Sequence, residues 1–316
     1  MTENKSNKIS IVIPCHNEEG NIVFLYDSLV EMLNELQGFN YEIVFIDDKS
    51  SDKTLERIQQ ISVKDERVKY ISFSRNFGHQ SALRAGFENA TGDCIVCMDG
   101  DMQHPVNIIP IMVEKWLKGF DIVYSIRKDT KEASLFKKTT SKLFYKILNR
   151  LSEIEIEEGA ADFRLIDKKI QKILIENFSE YHLFYRGLIS WIGFNQIGVE
   201  YTPNARFSGE TKYSFLKMLN FAINGITSFS VKPLKLAILL GMLTSLFAAI
   251  YGGYTLFVAL FTDDAVTGWS SIIISVLFIG GINMVLLGII SEYLGKLYFE
   301  TKKRPVFLID KTNIDK

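Results

Sequence analysis

Asp99-Gly100-Asp101 places two carboxylates one residue apart, directly after the apolar run 94–98. Two such groups at the end of a buried strand can share one hard cation. Mg²⁺ favours a few carboxylates completed by phosphate oxygens. A cation held there would neutralise a diphosphate leaving group. Acids are common in turns, so the pair alone does not decide the chemistry. The pattern recurs upstream. Asn17-Glu18-Glu19 follows a first apolar run, Asp47-Asp48 ends a second, and Ser74-Arg75-Asn76 follows a third.

These polar groups need elements to hold them. Residues 9–13, 41–46, 68–73 and 94–98 are short apolar runs that read as buried strands, the first closed by Pro14. Between them, 21–36 carries Ile22, Leu25, Leu29, Leu33 and Leu36 at helical spacing. Residues 51–61 and 80–89 read as two more helices, the former with Ser51 or Asp52 as N-cap. Alternating strands and helices predict an α/β fold with a mostly parallel sheet. Ligands in such sheets bind beyond the carboxyl ends of the strands, where all four polar clusters fall. A dinucleotide-binding domain is excluded, because no G-x-G occurs among the 21 Gly and no G-x-x-x-x-G-K-[ST] loop is present.

Composition narrows the class further. The net charge is −1, which argues against a nucleic-acid binder. Three Cys exclude a disulfide scaffold and fit a reducing compartment. Cys94 and Cys97 form a C-x-x-C, but on a strand they point to opposite faces and read as core residues. His16, His79, His104 and His182 lack ligand spacing, and His104, which follows the acid pair, is a candidate substrate contact.

A mean hydropathy of +0.10 is high for a chain with 73 charged residues. The charges are unevenly spread. Residues 233–295 hold four: Lys235, Asp263, Asp264 and Glu292. Two uncharged stretches, 236–261 and 269–291, exceed the length of about 20 residues that spans a bilayer core. They read as transmembrane helices at about 234–261 and 269–291, with two buried core helices as the alternative. The turn 262–268 makes them an antiparallel hairpin. Lys232, Lys235, Lys296, Lys302, Lys303 and Arg304 flank one side, and only Asp263 and Asp264 lie in the turn. Positive flanks stay inside, so the catalytic domain and both termini are expected on the cytoplasmic face of the plasma (inner) membrane. Residues 1–8 are polar and do not read as a signal peptide. Glu292 is expected at the headgroup level. Residues 134–151 alternate Leu, Ile and Phe with Lys and Arg, as an amphipathic interface helix does; an ordinary surface helix is the alternative.

Several motifs together carry a resemblance. P-C-H-N-E-E (14–19), D-D-K-S-S-D-K-T (47–54), F-S-R-N-F-G-H-Q (73–80) and D-G-D-M-Q-H-P (99–105) resemble the family 2 glycosyltransferases of GT-A fold. G-A-A-D-F-R (159–164) and R-F-S-G-E-T-K-Y (206–213) extend the likeness to the polyprenyl-phosphate branch, relatives of dolichyl-phosphate mannose and glucose synthases. The two-span C-terminus matches the members with a membrane hairpin. Cys15-His16 departs from the usual apolar or Tyr pair.

The resemblance implies a catalytic domain at 1–213, an interfacial helix at 214–232, a hairpin at 233–295 and a cytoplasmic tail at 296–316. It implies that Pro14, Glu18, Asp47 and Asp48 line the uridine pocket, with Arg75 beside the nucleotide-sugar. Asp99 and Asp101 would hold Mg²⁺ or Mn²⁺, and Gln103 would lie beside metal and sugar. Asp162 is the acceptor-positioning acid or base, or else an ion-pair partner of Arg164. Arg127, Arg206 and Lys212 would bind the phosphates of acceptor and donor. The implied activity is inverting transfer of one sugar from a UDP-sugar to polyprenyl (undecaprenyl) phosphate, by a homo-oligomer such as a tetramer. Two other classes are weighed. A processive polysaccharide synthase would carry Q-x-x-R-W and more spans. A non-catalytic membrane scaffold would leave the acidic rim without purpose.

Overall fold

The computed structural model describes residues 7–128, 150, 159–181, 183–204, 225–261 and 268–314. They divide into an α/β unit, which takes in the described residues of 7–128, 159–204 and 304–314, and a helical unit, which takes in Arg150 and the described residues of 225–303.

The α/β unit begins with β1 (Asn7–Cys15), α1 (Ile22–Glu35), β2 (Phe39–Asp47), α2 (Thr54–Lys64), β3 (Val68–Phe73), α3 (His79–Asn89) and β4 (Cys94–Cys97). Ile11, Val12 and Ile13 are fully buried, as are Val44, Phe45 and Ile46. Apolar side chains at every position suit strands covered on both faces. The strands expected from the sequence are all present. β1 differs at its end: it runs through Pro14, which pairs with Ile46, to Cys15 opposite Asp47. Proline's fixed φ is compatible with a strand, and its cost is one missing N–H.

The second half adds α4 (Ile108–Leu117), β5 (Ile122–Arg127), β6 (Ala160–Asp167), α5 (Lys168–Glu176), α6 (Tyr185–Trp191) and β7 (Gln196–Tyr201). The sheet has eight strands in the order β7-β5-β6-β4-β1-β2-β3-β8. β1 pairs in parallel with β2 and β4, β2 with β3, and β5 with β7. β6 runs antiparallel between β4 and β5. That reversal matters for the site. β6 brings its start, not its end, to the rim where β4 and β5 finish.

The helical unit holds α7 (Lys232–Phe261, 30 residues) and α8 (Trp269–Thr301, 33 residues). Segments Lys232–Val258 and Ile274–Thr301 are long and apolar enough to cross a membrane. Their large side chains lie exposed, Phe247 at 69% and Leu277 at 70%, so these are not buried core helices. α8 outruns the expected end at 291. Its later turns are tied within this unit: Tyr293 Oη donates to Ser230 O at 2.7 Å, and Lys296 Nζ to Thr227 Oγ1 at 2.6 Å.

The expectation of a tail at 296–316 is corrected. Residues up to Thr301 continue α8, and β8 (Ile309–Thr312) pairs antiparallel with β3 as the sheet's edge. Asn313, just beyond β8, supplies what a short strand lacks. Its Oδ1 accepts from Tyr70 N at 2.7 Å and its Nδ2 donates to Val68 O at 3.0 Å. The amphipathic helix expected at 134–151 lies outside the described residues apart from Arg150, as does 214–224 of the expected interfacial helix.

Candidate active site

The loops after β1 and β2 are laced to each other. Asn17 Oδ1 accepts from Ser51 N at 2.8 Å, and Asn17 N donates to Ser50 Oγ at 3.0 Å. Glu18 N donates to Thr54 Oγ1 at 2.8 Å. Glu19 N donates to Asp52 Oδ2 at 3.1 Å, and Lys53 N returns a bond to Glu19 Oε2 at 2.9 Å. The Glu18 carboxylate itself accepts from Asn21 Nδ2 at 2.6 Å. His16 Nδ1 donates to Asp48 O at 2.9 Å, so its Nε2 accepts from Asn17 Nδ2 at 3.3 Å.

Asp47 and Asp48 are consumed by this framework. Asp47 accepts from Ser50 N at 3.1 Å and Ser72 Oγ at 2.8 Å, and is 1% exposed. Asp48 is 4% exposed and accepts from Phe77 N at 2.7 Å and Gly78 N at 2.9 Å. Gly78 takes φ +94°, which an L side chain rarely adopts, and opens α3. These two acids therefore brace the loops after β2 and β3: their oxygens accept from the N–H groups of Ser50, Phe77 and Gly78 and from the Ser72 hydroxyl. Arg75, on the same loop, lies over the Phe77 ring at 4.0 Å.

The Asp99-Gly100-Asp101 turn lies against the end of β1. A Cβ on Gly100 would stand 3.2 Å from Cys15 Sγ and 3.5 Å from Pro14 O. That close approach is why glycine separates the two acids. Asp99 N donates to His104 Nδ1 at 3.1 Å. His104 is buried and stacks on Phe163 with ring centroids 4.9 Å apart, so it braces the turn rather than meeting substrate. Asp101 Oδ1 accepts from Gln103 N at 3.1 Å. Gln103 Oε1 accepts from Arg127 Nη1 at 3.4 Å, which joins the ends of β4 and β5.

At the start of β6, Asp162 is a hub of charge. Arg164 Nη2 lies 2.9 Å from its Oδ1, and Arg186 Nη2 lies 3.2 Å from its Oδ2. His79 Nε2 stands 3.8 Å from Asp162 Oδ2 and 3.7 Å from Asp99 Oδ1. Burial alone would raise the Asp162 carboxyl, but Arg186, Arg164 and His79 outweigh it and hold it far below the usual carboxylate range. A carboxylate held that firmly in its ionised form is a poor proton acceptor and a good anchor. Burial pushes the Cys15, Cys94 and Cys97 thiols up, so none is a nucleophile at neutral pH.

The rim thus gathers Asp99, Asp101, Gln103, Arg127 and Asp162 at the ends of β4 and β5 and the start of β6. Pro14, Glu18, Asp47, Asp48 and Arg75 lie at or just beyond the ends of β1, β2 and β3. Arg206 and Lys212 lie outside the described residues. From sequence His79 is read only as lacking ligand spacing, and Arg186 is not singled out. His79 stood inside the F-S-R-N-F-G-H-Q motif, which was its signal; Arg186 had none.

The donor set suits a hard divalent ion. Asp99 and Asp101 offer carboxylate oxygens, and the Asp99 side chain is 40% exposed. Among the described residues no group of three or more His, Cys, Asp or Glu could hold a metal. Two carboxylates need oxygens from a bound diphosphate to complete the shell, as Mg²⁺ sites commonly do.

Comparison with known proteins agrees along the chain. The Glycosyl transferase family 2 model matches residues 10–174, and the GtrB C-terminal hairpin model matches 232–297. Glycosyltransferase YkcC of Bacillus subtilis (strain 168) is 44% identical, over 96% of this chain and 93% of its own. The prophage bactoprenol glucosyl transferase homolog of Escherichia coli (strain K12) is 41% identical, over 96% and 98%. The bactoprenol glucosyl transferase of Shigella phage SfX is 38% identical over the same shares. With this sheet, this rim and this hairpin in order, the chain belongs to the family 2 glycosyltransferases, and its α/β domain has the GT-A fold.

Proposed function

We propose that the enzyme transfers one sugar from a UDP-sugar to polyprenyl phosphate, such as undecaprenyl phosphate. It works at the cytoplasmic face of the membrane that its hairpin spans. The observation that carries this reading is the combination, in one chain, of the acidic rim with two exposed apolar helices. Relatives named for bactoprenol glucosylation match both parts.

The chemistry follows from the reactants. A phosphate monoester is largely dianionic at neutral pH, its second pKa being about 6. Its oxygen attacks the anomeric carbon from the face opposite UDP. The new C–O bond forms as the bond to the diphosphate breaks, UDP leaves with the electron pair, and configuration inverts. No proton need be removed from the acceptor. That fits an Asp162 held ionised by two guanidinium groups, where it fixes Arg186 and His79 in place. Asp99 and Asp101 would hold Mg²⁺ or Mn²⁺, which offsets the diphosphate charge. Arg127, beside Gln103, adds a cation where two anions must meet. Lys232, Lys235, Lys296, Lys302, Lys303 and Arg304 support a hairpin with both ends inside.

The test uses purified full-length protein, undecaprenyl phosphate and a panel of UDP-sugars, with and without EDTA. Lipid-linked sugar should form from one donor and vanish with EDTA. Folded protein that makes none from any donor overturns the reading. Transfer that survives EDTA overturns the roles of Asp99 and Asp101.

A further inference from the structure

We infer that the segment after the hairpin, residues 305–313, completes the donor side of the active site, with Phe307 as its positioning residue. Neither family match reaches this segment, since they cover 10–174 and 232–297. It nevertheless meets two of the loops that shape the donor side.

Leu308 O accepts from Ser74 N at 3.0 Å, the first residue of the β3–α3 loop. Phe307 stacks on Phe73, with centroids 5.1 Å apart and planes 20° from parallel. Phe73 in turn meets Phe77 edge-on at 5.6 Å. Phe77 carries Arg75 over its ring and gives its N–H to Asp48. On the β2–α2 loop, Lys49 Nζ lies 3.4 Å from Asp310 Oδ2. That ion pair is exposed and adds little energy, but it shows how close the strand lies to the loop.

The aromatic relay Phe307–Phe73–Phe77 is the part with consequence. Aromatic pairs in offset or edge-on contact resist displacement beyond what their buried area supplies. Phe73 is the last residue of β3; its partner on the edge strand is Ile309, and the ring that stacks on its own is that of Phe307. Removing that ring frees Phe73 and then Phe77, whose N–H is one of two that engage Asp48. The loop 74–78 would then lose its place beside the nucleotide, while the acceptor side, built on β5 and β6, would keep its own. The inference rests on the UDP-sugar reading above.

The experiment uses full-length protein, with UDP affinity measured by calorimetry and with donor and acceptor varied separately in kinetics. Phe307→Ala should raise the UDP Kd and the donor KM roughly tenfold, the scale of one lost aromatic contact, with acceptor KM unchanged. Phe307→Tyr, which keeps the stacked ring, should restore both. Should Phe307→Ala fail to fold, Phe307→Leu keeps most of the apolar volume without the ring and carries the same expectation. Unchanged UDP affinity in a folded ring-less variant overturns the inference. So does a parallel rise in both KM values, which marks general loosening. Absence of UDP binding by the unsubstituted protein overturns the donor reading instead.

Discussion

Asp47-Asp48 ends β2 and Asp99-Gly100-Asp101 follows β4, on the same rim of one sheet. In sequence the two are alike: acids closing an apolar run. In the structure they differ. Asp47 and Asp48 are 1% and 4% exposed, and their oxygens meet Ser50, Ser72, Phe77 and Gly78. The Asp99 side chain is 40% exposed and has imidazole nitrogens no nearer than 3.7 Å. A buried carboxylate bonded to backbone N–H groups holds its loop in place, because losing it leaves those groups unpaired. An open carboxylate beside a second one has coordination to offer.

That contrast can be broken in several ways. Asp101→Asn should cut sugar transfer more than roughly 100-fold, beyond the usual effect of losing an outer-shell partner, with little change in melting temperature. A large drop in melting temperature would make Asp101 scaffold too. Asp48→Ala should do the reverse. Two partly buried N–H groups lose their acceptor, at about 1 kcal/mol each, and thermal unfolding should show it. A stable Asp48→Ala protein with weak UDP binding would return Asp48 to the role of direct ligand. Ser72→Ala removes one donor from Asp47 and should cost about 1 kcal/mol in chemical denaturation.

The smallest expected effect is none, and it concerns the third kind of carboxylate, one partly buried among cations. The folded-state pKa of Asp162 is depressed. Its contribution to stability is therefore complete above the ordinary Asp range and is lost only as pH falls through the depressed folded value. The Asp162 carboxyl itself, followed by NMR, should show no titration from pH 5 to 9. A carboxyl titration in that window would mean that Asp162 could serve as a base.

Much of this was legible without coordinates. Strands 9–13, 41–46, 68–73 and 94–98 are runs of buried apolar residues, and composition suffices to find them. The hairpin was legible for the same reason. What could not be read is pairing across distance. Asp162 meets His79 only because β6 enters the sheet reversed between β4 and β5, and no local pattern reports that insertion. The division between scaffold and site acids was hidden because it depends on where backbone N–H groups point. β8, Ile309-Asp310-Lys311-Thr312, was missed because an exposed edge strand has no apolar rhythm. Its partners, Ile71, Ser72 and Phe73, lie more than two hundred positions back.

That distance has a consequence for how the enzyme is made. Asn313 bonds to Tyr70 across 243 positions, and both hairpin helices lie between. During synthesis from the N-terminus, β3 leaves the ribosome as an open edge and stays open until the helices have followed. An open edge is a template for wrong pairing, and contacts of such long range form slowly. The nascent domain therefore waits, unfinished along β3, while the two long apolar helices are made. A chain stopped before β8 would keep the acids of the rim and still lack the strand that closes its sheet.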